Sequence, residues 1–560
     1  MCIVPDRAVA LAWADTTRVI SSENPESVVA QLESLAPRWI WWSARETAGY
    51  LVSRAVRPRA CWDLGAVARL LHGITRDDAA AAWAAQHGLP DPPDADGSLN
   101  LLDLVGESGD DNAPVRSDGQ LSRDWLRGRW RNDNDSVAQW AVLALSLYRE
   151  QDIALRSLPD PRRVAGATPL AVLSATSESM AALLCIELES DGLAIDRGIL
   201  EAYLVATIGE RPVSEADEIS TRRTRDQRVW DKFPGDPIDL RNPANVRDLL
   251  LRVGIDVPDT RAWRLEPYAA DSPAVAALLA WRTAERIATT YGWSWSARDI
   301  GSDDRLRGVW GASEGAGRMT ASAGLHNLPA ELRPAVRPRM GRVLVRADLG
   351  QIEPRVLAAV SGDTALATAA QADDMYAPVA QALGSDRATA KIAVLAAMYG
   401  QTSGPAGEAL KDMDRTFAVA MAFLRRAEEC GRRGVDLRTH GGRLLRLSQL
   451  ASALADAGGS DSAVAHGYGR FARNAVVQGA AAELFKAWAA TVRAGLAGNS
   501  GRIVLCLHDE LLVECADSES AGIVALLESA LQSSAAWWCA GSGVRFVADI
   551  SVVQSWADAK

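Results

Sequence analysis

RVLVRADLGQIEPRVLAAVSGD, residues 342 to 363, passes from a β-like run to a helix-like run within five residues and leaves a carboxylate, Asp348, at the junction. An Asp at such a turn is an ordinary helix cap, so the junction alone does not separate structure from chemistry. Gln351, Glu353 and Arg355 follow before the chain turns apolar again. Further on, RIVLCLHDELLVEC at 502 to 515 reads as two short strands around His508, Asp509 and Glu510. An acidic turn between buried strands is costly unless a partner or a cation compensates it. If the two Asp-bearing strands lie side by side, Asp348 and Asp509 converge on one sheet edge and repel unless divalent cations sit between them. Two-metal phosphoryl transfer requires that arrangement: one ion activates an attacking hydroxyl and the other holds the leaving phosphate oxygens.

Between these segments lies RATAKIAVLAAMYG, residues 387 to 400, in which Arg387, Lys391, Leu395 and Tyr399 recur every fourth residue. In a helix they form one slanting stripe of about 18 Å. Cations followed by an apolar and an aromatic side chain suit a nucleotide, with the phosphates at one end and the sugar and base at the other.

Together these segments resemble the family A DNA polymerases of the DNA polymerase I type. DLGQIEPR is similar to that family's D-Y-S-Q-I-E-L-R, residues 387 to 400 to R-x-x-x-K-x-x-x-F-G-x-x-Y-G, and Leu507 to Glu510 to V-H-D-E. GRMTASAGLHNLP, THGGRL and RFARNAVVQGAAAE resemble three smaller blocks in the family's order, so the similarity spans about 308 to 560. DGLAID and LRNPANVRDLLLRVGI carry a looser likeness to the thumb. The resemblance implies an α+β right-hand fold with an antiparallel palm sheet, helical fingers and a helical thumb. It implies a template-directed DNA polymerase using two Mg²⁺ ions, held by Asp348 and Asp509, with primer-template DNA and deoxynucleoside triphosphates as partners. Lys391 would act as proton donor to pyrophosphate, and Arg387 and Lys391 would grip the triphosphate. Gln351, Glu353, Leu395 and Tyr399 would complete the nucleotide site, Glu353 packing on Tyr399 and blocking a ribose 2′-hydroxyl. Arg318, Asn327, Arg443, Arg470, Asn474, Gln478 and His508 would contact DNA.

The chain also departs from the pattern. Leu395 stands where the family has Phe or Tyr, which should weaken stacking on a nucleotide by on the order of 1 kcal/mol. Ala396 replaces Gly, Tyr376 in Asp374-Met375-Tyr376 replaces His, and Pro354 in the first helical turn replaces Leu without cost.

At 560 residues the chain is long enough for three or four domains. The expected division is an exonuclease-like region at 1 to 175, thumb at 176 to 307, palm at 308 to 371 and 474 to 560, and fingers at 372 to 473. DPPDADGS (91 to 98) and GESGDDNAP (106 to 114) read as loops. The first region mixes short apolar runs with Ala-rich helical stretches, an α/β pattern, and holds nine of the 19 tryptophans, read as packing residues. Scraps such as CWDLGAVARLLHG resemble a 3′-to-5′ exonuclease domain of RNase H-like fold. ALAWADTT offers Asp15 but no Asp-x-Glu, and Asp63 reads as structural. The expectation is a remnant without proofreading, with no 5′-nuclease domain before it.

Seven cysteines without a C-x-x-C pair argue against zinc and against a disulfide framework. A net charge of −11 gives no global attraction for nucleic acid, though a local basic groove can sit within an acidic total. No run of about 18 apolar residues suggests a membrane span, and no signal peptide opens the chain. A cytoplasmic, nucleoid-associated monomer is expected. Two other readings stand beside it: an RNA polymerase or reverse transcriptase on the same scaffold, and a catalytically weak or inactive nucleic-acid-binding protein. Glu353 argues against ribonucleotide use, and joint retention of Asp348, Lys391 and Asp509 argues against the second.

Overall fold

The computed structural model describes residues 1–92, 113–162, 164, 166–312, 315–400, 405–450 and 462–559. Most of the two loop segments expected at 91 to 98 and 106 to 114 lies outside the described residues. The chain divides into two compact units.

The first unit comprises Met1–Asp191, Val309–Thr320 and Gly341–Val552. It begins with an antiparallel sheet of Cys2–Val4, Ala8–Trp13 and Thr16–Ser21, followed by a parallel pair, Arg38–Trp41 and Ala60–Asp63. Eight of the nine tryptophans in this region are buried; Trp13 is the exposed one. Trp42 and Trp140 stack at 4.6 Å, and Trp62 meets Tyr148 edge on, so these rings pack against each other. Asp63 ends the parallel strand and caps the next helix, accepting from the Ala66 N–H at 2.7 Å, the Ala44 N–H at 2.5 Å and Trp41 Nε1 at 3.1 Å.

A helix at Leu170–Asp191 has the length and composition of a membrane span. The sequence reading missed this, because Ser and Glu interrupt the apolar residues. Most of the helix is buried against protein, which is how the core helix of a globular unit reads. It packs on the N-terminal helices Ala44–Val52 and Leu64–His72, on the strand Ala60–Asp63, and on the long helix Ala463–Gly495. The expected domain boundary at residue 176 falls within it. The segment from about 176 to 300 reads from the sequence as long, partly exposed helices, but nothing local distinguishes a half-exposed helix from a largely buried one.

Four strands form the central sheet, in the order Arg502–Leu507, Glu510–Ala516, Arg342–Leu349, Ala548–Val553. Alternation of Val and Leu with polar residues along Arg342–Leu349 lets one face join the core while Arg342, Arg346 and Asp348 share the other. The register pairs Asp348 with Glu510, and Leu507 with Glu510 across the hairpin. Helices Tyr376–Leu383, Arg387–Tyr399, Pro405–Thr416 and Ala418–Arg433 follow, then the long helix Ala463–Gly495.

The second unit comprises Gly192–Gly308, Ala321–Met340 and Val553–Lys560. Its helices include Arg197–Ile208, Glu215–Trp230, Pro243–Leu251 and Pro273–Thr290, around a core of Val229, Phe233, Leu249, Val275, Leu278 and Trp281. Arg241 ties it together, binding Asp226 at 2.9 Å and Glu285 at 2.6 Å while Trp281 Nε1 donates to Asp226.

Candidate functional site

Register positions the two carboxylates. Arg502–Leu507 and Glu510–Ala516 are joined by a two-residue turn in which His508 takes a left-handed φ of 55° and Asp509 follows. The Asp509 carbonyl accepts the Leu349 N–H at 3.0 Å, tying the turn to the residue after Asp348. The two Asp side chains therefore sit at the same end of neighbouring strands. Asp509 carries the electrostatic mark of that crowding. Burial, then the charge of Asp348, pushes the Asp509 carboxyl up to about 6. Burial also raises Asp348, with Arg346 pulling it back and Asp549 adding to the rise.

Beside them a cleft of about 390 Å³ is lined by Arg318, Glu353, Tyr399, Ala481, His508 and Asp509, among others. The strand-to-helix turn that forms its floor is sharp: Gln351 adopts φ 57° and the helix Ile352–Ser361 starts at once. Glu353, in the first turn, accepts a hydrogen bond from Arg318 and another from the Tyr399 hydroxyl at 3.2 Å. Burial raises the Tyr399 phenol, and the charge of Glu353 adds to this. His508 is lowered, first by desolvation and then by Arg318.

Asp386 caps the helix Arg387–Tyr399 through the Thr389 N–H at 2.9 Å, and Gly400 ends it with a left-handed φ of 67°. Its Ala390, Ala393, Val394 and Ala397 face the core, leaving Arg387, Lys391 and Tyr399 outward and Leu395 half-buried. Arg387 bonds Asp374 at 2.5 Å, and its guanidinium stands 5.7 Å from the centre of the Tyr376 ring. On the long helix, Arg470, Asn474 and Gln478 are four residues apart and so share a stripe.

Not every candidate of the first unit lines the cleft. Gln351 spends its amide on Asp374 at 2.7 Å and on the Met375 N–H at 2.9 Å, bracing the turn. Asn327 belongs to the second unit. Arg443, expected to contact DNA, corrects the sequence reading: it is 4% exposed and forms an ion pair with Glu178 at 2.6 Å. Lys486 binds the same carboxylate at 2.8 Å. Burial alone would raise Glu178, but these two cations bring it down to about 2. Glu483 adjoins them, accepting from Thr439 and from the Gly441 N–H at 2.7 Å. A Cβ at Gly441 would come within 2.5 Å of Glu483 and Ser174, so the glycine pair of THGGRL serves a close approach. Motif residues carry no label saying whether they face solvent or core.

Reading the sequence named Arg355 without giving it a role and passed over Arg346. Arg355 is fully buried and donates to the carbonyls of Gly350, Ala370, Ala372, Asp373 and Arg545, holding the segment after the turn. Arg346 bonds Asp348 at 2.6 Å and Glu510 at 3.3 Å and lies 3.6 Å from Asp549. Its spacing of two residues from Asp348 on a strand was the available signal.

The donor set fits a hard divalent cation. Two carboxylates supply fewer oxygens than Mg²⁺ takes, and such sites are completed by substrate phosphate and water. Among the described residues no group of three or more His, Cys, Asp or Glu is arranged to hold an ion by itself.

The family model for DNA polymerase family A matches residues 252–558. DNA polymerase I of Chloroflexus aurantiacus is 30% identical over 247 residues, which is 39% of this chain and 25% of that protein. The thermostable DNA polymerase I of Thermus thermophilus is 26% identical over 450 residues, 73% of this chain and 50% of the relative. The chain thus matches half the length of these relatives or less. The polymerase domain of Pol1 from M. smegmatis, in complex with DNA primer-template and dNTP, has the same fold at a TM-score of 0.67 and 21% identity, covering 99% of this chain and 93% of that one. The α+β polymerase fold and a family match over more than half its length place the chain in DNA polymerase family A.

Proposed function

We propose that the chain is a template-directed DNA polymerase that adds deoxynucleotides to a primer 3′ end. The observation that carries this is the convergence of Asp348, near the end of its strand, and Asp509, in the turn of the adjacent hairpin, with the outward stripe Arg387, Lys391 and Tyr399 on a helix of the same unit. Asp348 and Asp509 would hold two Mg²⁺ ions, which when bound lower the pKa of the primer hydroxyl and neutralise charge on the phosphates. The chain's own residues do the rest. Arg387 and Lys391 bind the triphosphate, for which Arg387 exchanges its bond to Asp374. Lys391 donates a proton to the leaving pyrophosphate. Glu353, held by Arg318 and Tyr399, presents a fixed carboxylate where a ribose 2′-hydroxyl would sit and so excludes ribonucleotides. His508 and the stripe Arg470, Asn474 and Gln478 contact the duplex. In this reading residues 308 to 371 and 474 to 560 are palm, 372 to 473 fingers and 176 to 307 contain the thumb, while 1 to 175 are an exonuclease-like remnant.

A polymerase-fold protein with weak or no catalysis is the alternative, favoured by Leu395 and by the Arg387–Asp374 pair. Primer extension with Mg²⁺, a templated overhang and single deoxynucleotides separates the two. The expected outcome is extension by the templated nucleotide, reduced by about a thousandfold or more in Asp509→Asn. Duplex affinity should hardly change, because backbone electrostatics dominate it. Duplex binding without extension by the unaltered protein would select the alternative.

A further inference from the structure

The polar face of the central sheet carries a cation where the proposed reaction has no use for one. Arg346 and Asp348 are two residues apart on one strand and so point the same way. Glu510 lies opposite Asp348 on the neighbouring strand, and Asp549 is on the strand at the other side. The Arg346 guanidinium meets all three carboxylates: Asp348 at 2.6 Å, Glu510 at 3.3 Å and Asp549 at 3.6 Å. The Arg346 side chain is 13% exposed and Glu510 8%, whereas Asp348 at 32% and Asp549 at 67% reach solvent, so the Arg346–Glu510 contact is the least screened of the three. A planar guanidinium can bond several carboxylates at fixed angles, which an ammonium cannot do.

We propose that Arg346 is a positioning residue that presets Asp348 and suppresses divalent-cation binding before a nucleotide arrives. It engages Oδ2 of Asp348, which orients the carboxylate and leaves Oδ1 for a cation. Its charge cancels part of the negative potential that would draw a cation to Asp348 and Asp509. A triphosphate brings that charge back, so cation and nucleotide enter together, and the free protein does not hold an ion in a misplaced geometry. This inference rests on reading Asp348 and Asp509 as the cation site.

Manganese is the probe, because its paramagnetism reports free and bound ion without turnover. Nucleotide-free protein is titrated with Mn²⁺ by electron paramagnetic resonance as wild type, Arg346→Ala, Arg346→Gln, Asp509→Asn and the Arg346→Ala/Asp509→Asn pair. The expected result is Mn²⁺ binding at least threefold tighter in Arg346→Ala, with the gain lost in the double variant. Arg346→Gln fills the space of the arginine stem without charge and should tighten binding likewise, so the test survives if the alanine variant does not fold. A purely structural arginine would leave affinity unchanged or weaken it when removed. Unchanged or weaker binding in both Arg346 variants, with Asp509→Asn still reducing it, overturns the inference and leaves the cation site standing. Binding indifferent to Asp509 in every background overturns the cation site itself.

Discussion

Leu395 shows how far a single residue can be read. It occupies the third place in the outward stripe of its helix, half-buried, between Lys391 and Tyr399. A Leu there offers area but no ring face. Leu395→Phe should lower the KM for the templated deoxynucleotide by roughly fivefold, on the order of 1 kcal/mol of recovered stacking, with kcat changed less. Steady-state single-nucleotide incorporation measures it, and an unchanged KM would mean that the side chain does not face the base. At this scale Glu353 and Tyr399, which meet in the cleft, were legible through the family resemblance, and Asp348 through its place at the end of a strand. Arg443 was not, since a basic residue in a glycine-flanked motif gives no sign that an acidic partner, Glu178, waits 265 positions earlier to bury it.

Elements meet through a buried charge network. The hairpin Leu437–Arg438 and Leu444–Leu445 presents Thr439, Gly441 and Arg443 to Glu483 on the long helix and to Glu178 on Leu170–Asp191. Burial raises Glu483 to about 7 from an ordinary 4.5, with the hydrogen bonds from Thr439 and Gly441 and the charge of Arg443 opposing the rise. The folded chain thus keeps a proton that the unfolded chain releases. The associated stability is complete below about pH 4.5 and is lost as the pH climbs through about 7. Glu483→Gln cannot ionise, so its melting temperature should gain on wild type between pH 5 and pH 8. The gain should correspond to about 2 to 3 kcal/mol. A pH-independent difference between the two melting curves would rule out the raised carboxyl. None of this was visible along the sequence, where Thr439, Glu483 and Glu178 lie in three segments that share no pattern. The β-like run that ends on Asp348 and the helical stripe of 387 to 400 were visible, because both are local signals.

Over the whole molecule, the proposal that the N-terminal region is an exonuclease-like remnant without proofreading turns on where its carboxylates stand. The strand Cys2–Val4 contains no carboxylate, Asp15 is exposed in the turn after Ala8–Trp13, and both Asp63 oxygens accept hydrogen bonds from N–H donors. Purified protein with Mg²⁺ and no nucleotides should leave a mismatched primer at full length over hours; stepwise shortening would show that proofreading persists. Motif order along the chain suggested a division of labour, but gave no measure of how far its segments support one another. Leu170–Asp191 packs on the N-terminal helices and on the long helix that bears Asn474 and Gln478. Removing the N-terminal region would expose an apolar helix that also supports the long helix beside the candidate site. Packing alone is therefore a sufficient reason for the chain to keep that region, so its presence is by itself no sign that it performs a reaction.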